Sequence, residues 1–189
     1  GAAYENLRFL CKKVGQRLSG SAGGAKAVLE TARMMREMGA DTVYLQECMV
    51  PKWERGEKEK AELIMANGKK MPLNIAALGN SEGTPSTGIR AEVVEVRNFD
   101  ELEAMKDKVK GKIVFYNYPM NPTFIRTFMA YGDAGRYRGQ GPSRAARYGA
   151  IGVIVRSLAS NPDDFPHTGA MNYNDSFPKI PAVAISTND

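Results

Sequence analysis

Histidine is nearly absent from this sequence: His167, within DDFPHTG (163–169), stands alone in 189 residues. Cysteine is scarce too, with only Cys11 and Cys48. A catalytic or dinuclear zinc centre draws about three or four ligands from His, Asp, Glu and Cys onto the metal. One histidine cannot build a two-histidine site, and PHTG has no carboxylate at a spacing that shares its face. His167 therefore reads as a loop residue between Pro166 and a Thr-Gly turn rather than as a catalyst. The two cysteines are too few and too far apart for a zinc knuckle. Both a disulfide and two free thiols stay open for them.

Long apolar runs are also missing. None approaches ~18 residues, so no membrane-spanning helix is expected. The opening GAAYENL lacks the basic start and apolar stretch of an export leader. No Walker loop occurs. GQGPSRAARYG lacks the third glycine of a phosphate loop, and Pro142 removes an N–H that a phosphate would want. GNSEG has no patterned histidine to serve it as a nucleophile elbow.

What is present is ordinary globular material, 43% apolar and 25% charged. A chain of this size buries roughly two-thirds of its unfolded surface and needs no staples. Charge is concentrated. Residues 111–160 hold Lys112, Arg126, Arg136, Arg138, Arg144, Arg147 and Arg156 against Asp133 alone, whereas the whole chain nets only +5. Such a segment reads either as a solvated arginine face or as a surface facing carboxylates. Tyr116, Tyr118, Tyr131 and Tyr137 interleave with it, but no nucleic-acid motif accompanies them, so nucleic acid is not an expected partner.

Periodicity predicts helices over 4–14 and 24–38, the second with Ala25, Val28, Leu29, Ala32, Met35 and Met38 on its apolar stripe. TVYLQECMV (42–50) alternates as a strand does. Two or three strands follow, with a hairpin turn at Asn67-Gly68. IRAEVVEV (89–96) reads as a strand. Asp100 is expected to open a short helix, with Glu103 as its capping-box partner. The apolar strands 112–117, 151–156 and 181–186 should form the core, with helix 142–148, Pro142 in its first turn, packed on them. Strand, helix, strand implies a parallel right-handed crossover. Between strand 112–117 and that helix lies PMNPTFIRTFMAYGDAGRYRGQG, read as a long mobile excursion.

GKIVFY, then ARYGAIGVIVRS, then PKIPAVAIS resembles the protease-associated domain, over about 111–187. GQRLSGSAGGAKAVLETARMMREMGADTVYLQ resembles the opening of zinc exopeptidases of the aminopeptidase Y and plasma glutamate carboxypeptidase-like family, with Gln16 in place of that family's proline. VPKWERGEKEKAELI, GTPSTGIRAEVVEV, FDELEAMKDKVKGKIVFYN and FPHTGAMNYNDSFPKIPAVAIS extend the resemblance over nearly the whole chain.

The resemblance implies an α+β (mixed α/β) fold: an N-terminal helical arm over 1–49, then a β-rich protease-associated domain over 50–189. The family's His-x-Asp and Glu-Glu patterns do not occur here, so it also implies a chain truncated before the catalytic domain. No cofactor is then expected in this chain, and two zinc ions are expected in that further domain. The implied partners are the catalytic peptidase domain of the same parent chain, a peptide substrate and a homodimer contact, with secretion or periplasmic export. The orphaned apolar stripes of the N-terminal helices are expected to sit loosely or to meet another copy. The non-catalytic lid surface is expected at Arg126, Arg136 and Arg138 with His167, Thr168 and Tyr173. An autonomous peptide-binding module of the sorting-receptor type is the alternative.

Overall fold

In the computed structural model, which describes residues 1–189, the chain forms two compact units, Gly1–Gly56 and Glu57–Asp189. The first unit holds α1 (Ala2–Phe9), which runs into a π-helical turn Leu10–Val14, and α2 (Ala22–Glu37). Gly15 (φ 77°) stops the first helix, because only a glycine turns there without strain. Ser21 caps α2, its hydroxyl accepting from the Gly24 N–H at 3.0 Å. Only Ala32 and Met34 of α2 are buried, whereas Val28, Leu29, Met35 and Met38 remain largely exposed. Residues 42–50 form no strand, contrary to their alternation. An alternating pattern becomes a strand only with a ladder partner, and none is present; Met49 is almost wholly exposed.

The second unit contains a hairpin of β1 (Ala61–Ile64) and β2 (Lys70–Leu73), turned at Asn67-Gly68 as the sequence requires. The Asn67 side chain accepts from the Lys69 N–H, and Gly68 takes φ 79°. Next come β3 (Ile75–Ala77), β4 (Val93–Val96), α3 (Phe99–Ala104), α4 (Lys106–Val109), β5 (Ile113–Tyr116), α5 (Thr127–Ala146), β6 (Gly152–Arg156) and β7 (Ala182–Ile185). The five-stranded sheet runs β3-β7-β6-β5-β4, parallel except for β3. β3 and β7 lie antiparallel at one edge, and the pairing continues past them through Ser186 N–H to Asn74 O at 2.9 Å.

From β4 to β7 every new strand is added on the same side of the last. Right-handed crossovers that advance in one direction put all their connections on one face. That face buries Val96, Val114, Tyr116, Val153, Val155, Ala182 and Ala184 under α3, α5 and the loop bearing Met171. The opposite face, with Glu95, Phe115, Ile154 and Val183, carries no helix and stays partly open. It bears a polar row: Arg156 Nη1 donates to Asn117 Oδ1 (2.9 Å), and Asn117 Nδ2 donates to Glu95 Oε1 (2.8 Å).

Two sequence expectations shift. The cap of α3 is Asn98, not Asp100: Asn98 Oδ1 accepts from Glu101 N–H at 2.8 Å, and Glu101 Oε2 accepts from Arg97 N–H at 2.7 Å. Asn98→Ala should cost about 1 kcal/mol of unfolding free energy, read from a urea transition, while Asp100→Ala should cost less than half of that. The larger shift concerns the excursion. Residues 127–141 are helical, and Pro142 lies inside α5 rather than in its first turn. Ala130, Ala134, Tyr137, Gly141 and Ala145 recur on one face and are buried, so this stretch is packed, not mobile.

Candidate functional site

Helix α5 has 20 residues and spans about 30 Å, roughly twice the length of the strands beneath it. Its C-terminal half seats on the sheet. At Gly141 an added Cβ would lie 2.7 Å from the Tyr116 ring, and the Tyr116 hydroxyl donates to Gly141 O at 3.0 Å. Its N-terminal half overhangs the end where β5 and β6 finish, and clamps the two segments that leave them.

Two clusters form the clamp. In the first, Tyr118, just past β5, donates to the Asp133 carboxylate, which also pairs with Arg136 at 3.3 Å. The Tyr118 and Tyr137 rings meet at a tilt with centroids 4.6 Å apart, and Arg136 lies over the Tyr137 ring at 5.1 Å. The hydrogen bond to Asp133, with burial, raises the Tyr118 phenol above its ordinary value; burial raises Tyr137 and Tyr116.

The second cluster is centred on Tyr131. Arg138 Nη1 donates to the Tyr131 hydroxyl at 2.9 Å, its guanidinium carbon lies 5.3 Å from the ring centroid, and its Nε is buried without a partner. The guanidinium fills the space over Gly169, where a Cβ would come within 2.7 Å of it. The His167 ring meets Tyr131 edge-on at 5.5 Å, and His167 Nδ1 is likewise buried without a partner. Phe128 stacks on Tyr131 at 5.8 Å. The His167 backbone N–H donates to Ser157 Oγ (2.7 Å), which in turn donates to Ile185 O (2.6 Å). His167 is thus pinned by its backbone at the ends of β6 and β7.

The structure brings Arg138 and His167 together and separates the other expected site residues. Arg126 is exposed at the start of α5 and pairs with no carboxylate. Arg136 is committed to Asp133. Thr168 Oγ1 donates to Ala77 O at 2.7 Å, tying the late loop to β3. Tyr173 stands toward the other end of β7, donating to Ile180 O (2.6 Å) and accepting from Glu82 N–H (2.9 Å). Tyr118, Tyr131 and Asp133 stand out in the sequence only as members of the basic segment and not as site residues, and Phe128 escaped the sequence reading. Reading 127–141 as a helix would have placed Phe128 and Tyr131 at i,i+3 and Arg138 two turns on.

No three His, Cys, Asp or Glu side chains converge where a metal could sit. Cys11 and Cys48 are both free and exposed. The residues of this chain therefore do not fit a zinc site. No helix is long and apolar enough to cross a membrane.

No protein-family model matches the chain. It is 38% identical to human carboxypeptidase Q over 187 residues, covering 99% of this chain and 37% of that protein. It is 41% identical to carboxypeptidase Q of Xenopus laevis over the same length, 38% of that protein. The crystal structure of a peptidase M28 precursor from Shewanella amazonensis superimposes with a TM-score of 0.86 at 34% identity, covering 99% of this chain and 41% of that one. A zinc aminopeptidase from Bacillus subtilis superimposes with a TM-score of 0.61 at 23% identity and shares the fold alone. The chain thus spans well under half the length of each of these proteins.

Proposed function

From homology to carboxypeptidase Q and to an M28 peptidase along 99% of this chain, we propose that it forms the non-catalytic, substrate-access part of a zinc exopeptidase. The observation that carries this reading is the 0.86 superposition on 41% of a peptidase, taken with a side-chain set that converges on no metal position. The zinc ions and the general base then belong to the rest of the parent enzyme. What this chain contributes is a wall: a rigid sheet, an overhanging helix and a cationic, aromatic rim that a peptide passes on its way to the chemistry. A cleft between two domains needs such a wall, and the wall itself need hold no reacting group. Secretion or periplasmic export of the parent enzyme belongs to the same reading.

Of the rim arginines, Arg138 is the one whose guanidinium is positioned yet pairs with no carboxylate, whereas Arg136 is spent on Asp133. In a peptidase containing these residues, Arg138→Ala should raise KM about tenfold or more and leave kcat within about twofold, because a wall contact binds ground and transition states alike. Arg136→Ala should act more weakly. Steady-state kinetics decide the matter: unchanged KM in both variants would remove the access role, and a collapse of kcat alone would put Arg138 in the chemistry.

A further inference from the structure

We infer that Arg138, Tyr131 and Phe128 form a receptor for a carboxylate carried by an apolar residue, the C-terminal residue of a peptide. This deepens the access reading by naming what the rim recognises, and it rests on that reading for its place in the enzyme.

Charge supplies the first argument. The carboxylate of α5 and the two in the loop before His167 are already engaged. Asp133 accepts from Tyr118 and pairs with Arg136; Asp163 accepts from Phe165 N–H and Asn161 Nδ2; Asp164 accepts from Asn188 Nδ2. Apart from Arg136, the cations are not. Arg126 pairs with no carboxylate, and the only acceptor for the Arg138 guanidinium is a neutral phenol oxygen. An arginine held in place by a tyrosine hydroxyl, with no carboxylate on its guanidinium, is organised in advance for a planar anion.

Apolar surface supplies the second. Phe128 is 84% exposed, Phe165 is 81% exposed and Ile125 is fully open. Phe128 is no stray residue, because its ring is stacked on Tyr131. A cation and an apolar platform therefore share one tyrosine. A chain-terminal residue matches that arrangement, since its carboxylate and its side chain spring from the same Cα. An acidic side chain inside a peptide offers the same anion but places the neighbouring apolar group farther away.

His167 makes the test direct. It is the only histidine in the chain, so its ring gives a single set of imidazole NMR signals, and it touches Tyr131. The 189-residue protein is titrated with N-acetyl-L-phenylalanine, with its amide, and with the blocked dipeptide N-acetyl-aspartyl-phenylalanine amide, whose only carboxylate is internal. The free acid should shift the His167 signals saturably. The amide should not, and the internal acid should bind about tenfold more weakly. Arg138→Gln should weaken the free acid about tenfold or more, whereas Arg144→Gln, stacked on Phe99 further along α5, should leave it unchanged. Should Arg138→Gln lose its dispersed spectrum, Arg138→Lys, which keeps the charge without the fork, should fall between the two. The inference is overturned by equal shifts with acid and amide, by tighter binding of the internal acid, by an Arg138 variant that binds as the parent does, or by no shift up to about 20 mM. Because this titration involves no catalysis, a negative result leaves the KM test of the access wall standing on its own.

Discussion

Tyr116→Ala should remove about 3–5 kcal/mol of stability from the second unit, the cost of truncating a buried aromatic. Tyr116 has no exposed surface. Its ring meets Phe99 edge-on and Tyr137 at a tilt, each at 5.8 Å, so it joins α3, β5 and α5 at one point. Its hydroxyl is also paired, which separates two contributions. Tyr116→Phe should cost only about 1 kcal/mol, because it deletes one hydrogen bond and keeps the ring. Urea unfolding of the three proteins measures both steps. A loss below about 1 kcal/mol for Tyr116→Ala would mean that α5 is seated by something other than this ring.

Gly141→Ala should destabilise by about 1–3 kcal/mol, against the usual direction for a helix interior. Replacing glycine by alanine within a helix ordinarily gains up to about 1 kcal/mol. Here the new Cβ would stand 2.7 Å from a ring carbon of Tyr116. That ring cannot easily withdraw, since its hydroxyl is bonded to the carbonyl of the same glycine. Sterics therefore outweigh propensity. Gly132, on the same helix, faces open space, so Gly132→Ala should stabilise by roughly 0.5–1 kcal/mol. In a Tyr116→Val background the Gly141→Ala penalty should vanish, because the clash is with the ring. Equal effects at the two glycines, measured by thermal unfolding, would refute this account of how the helix is seated.

The contrast between these glycines also explains what could and could not be read beforehand. β5, β6 and β7 announce themselves as short apolar runs bounded by Gly and Pro, because parallel strands buried in a sheet carry little polar patterning. The hairpin announces itself through Asn67-Gly68. α5 does not. Gly132, Gly135, Gly139, Gly141 and Pro142 depress its helix propensity throughout, and among these glycines only Gly141 lies where a Cβ would strike the sheet. The signal was in the spacing of Ala130, Ala134, Tyr137, Gly141 and Ala145, which local propensity obscures. Stretch 42–50 failed in the opposite sense: its alternation was visible, but a ladder partner is a tertiary fact. At the rim, counting charge found Arg138, and His167 was singled out as the lone histidine of the late loop. The tyrosine that brings them together lay in a segment read as loop, so its periodicity was never used.

The pairing of β3 with β7 has an engineering consequence. The chain enters the sheet through β3 and leaves it through β7, and Asn74 and Ser186 are hydrogen-bonded neighbours there, with Asp189 also accepting from Asn74 N–H at 2.6 Å. Both doorways therefore open within about one strand spacing, ~5 Å, of each other. Residues 74–189 are thus geometrically suited to transplantation into a surface turn of a host scaffold without prising that turn apart. The same adjacency permits circular permutation: a short linker could close the old ends, and new ones could be cut in the exposed turn around Gly83.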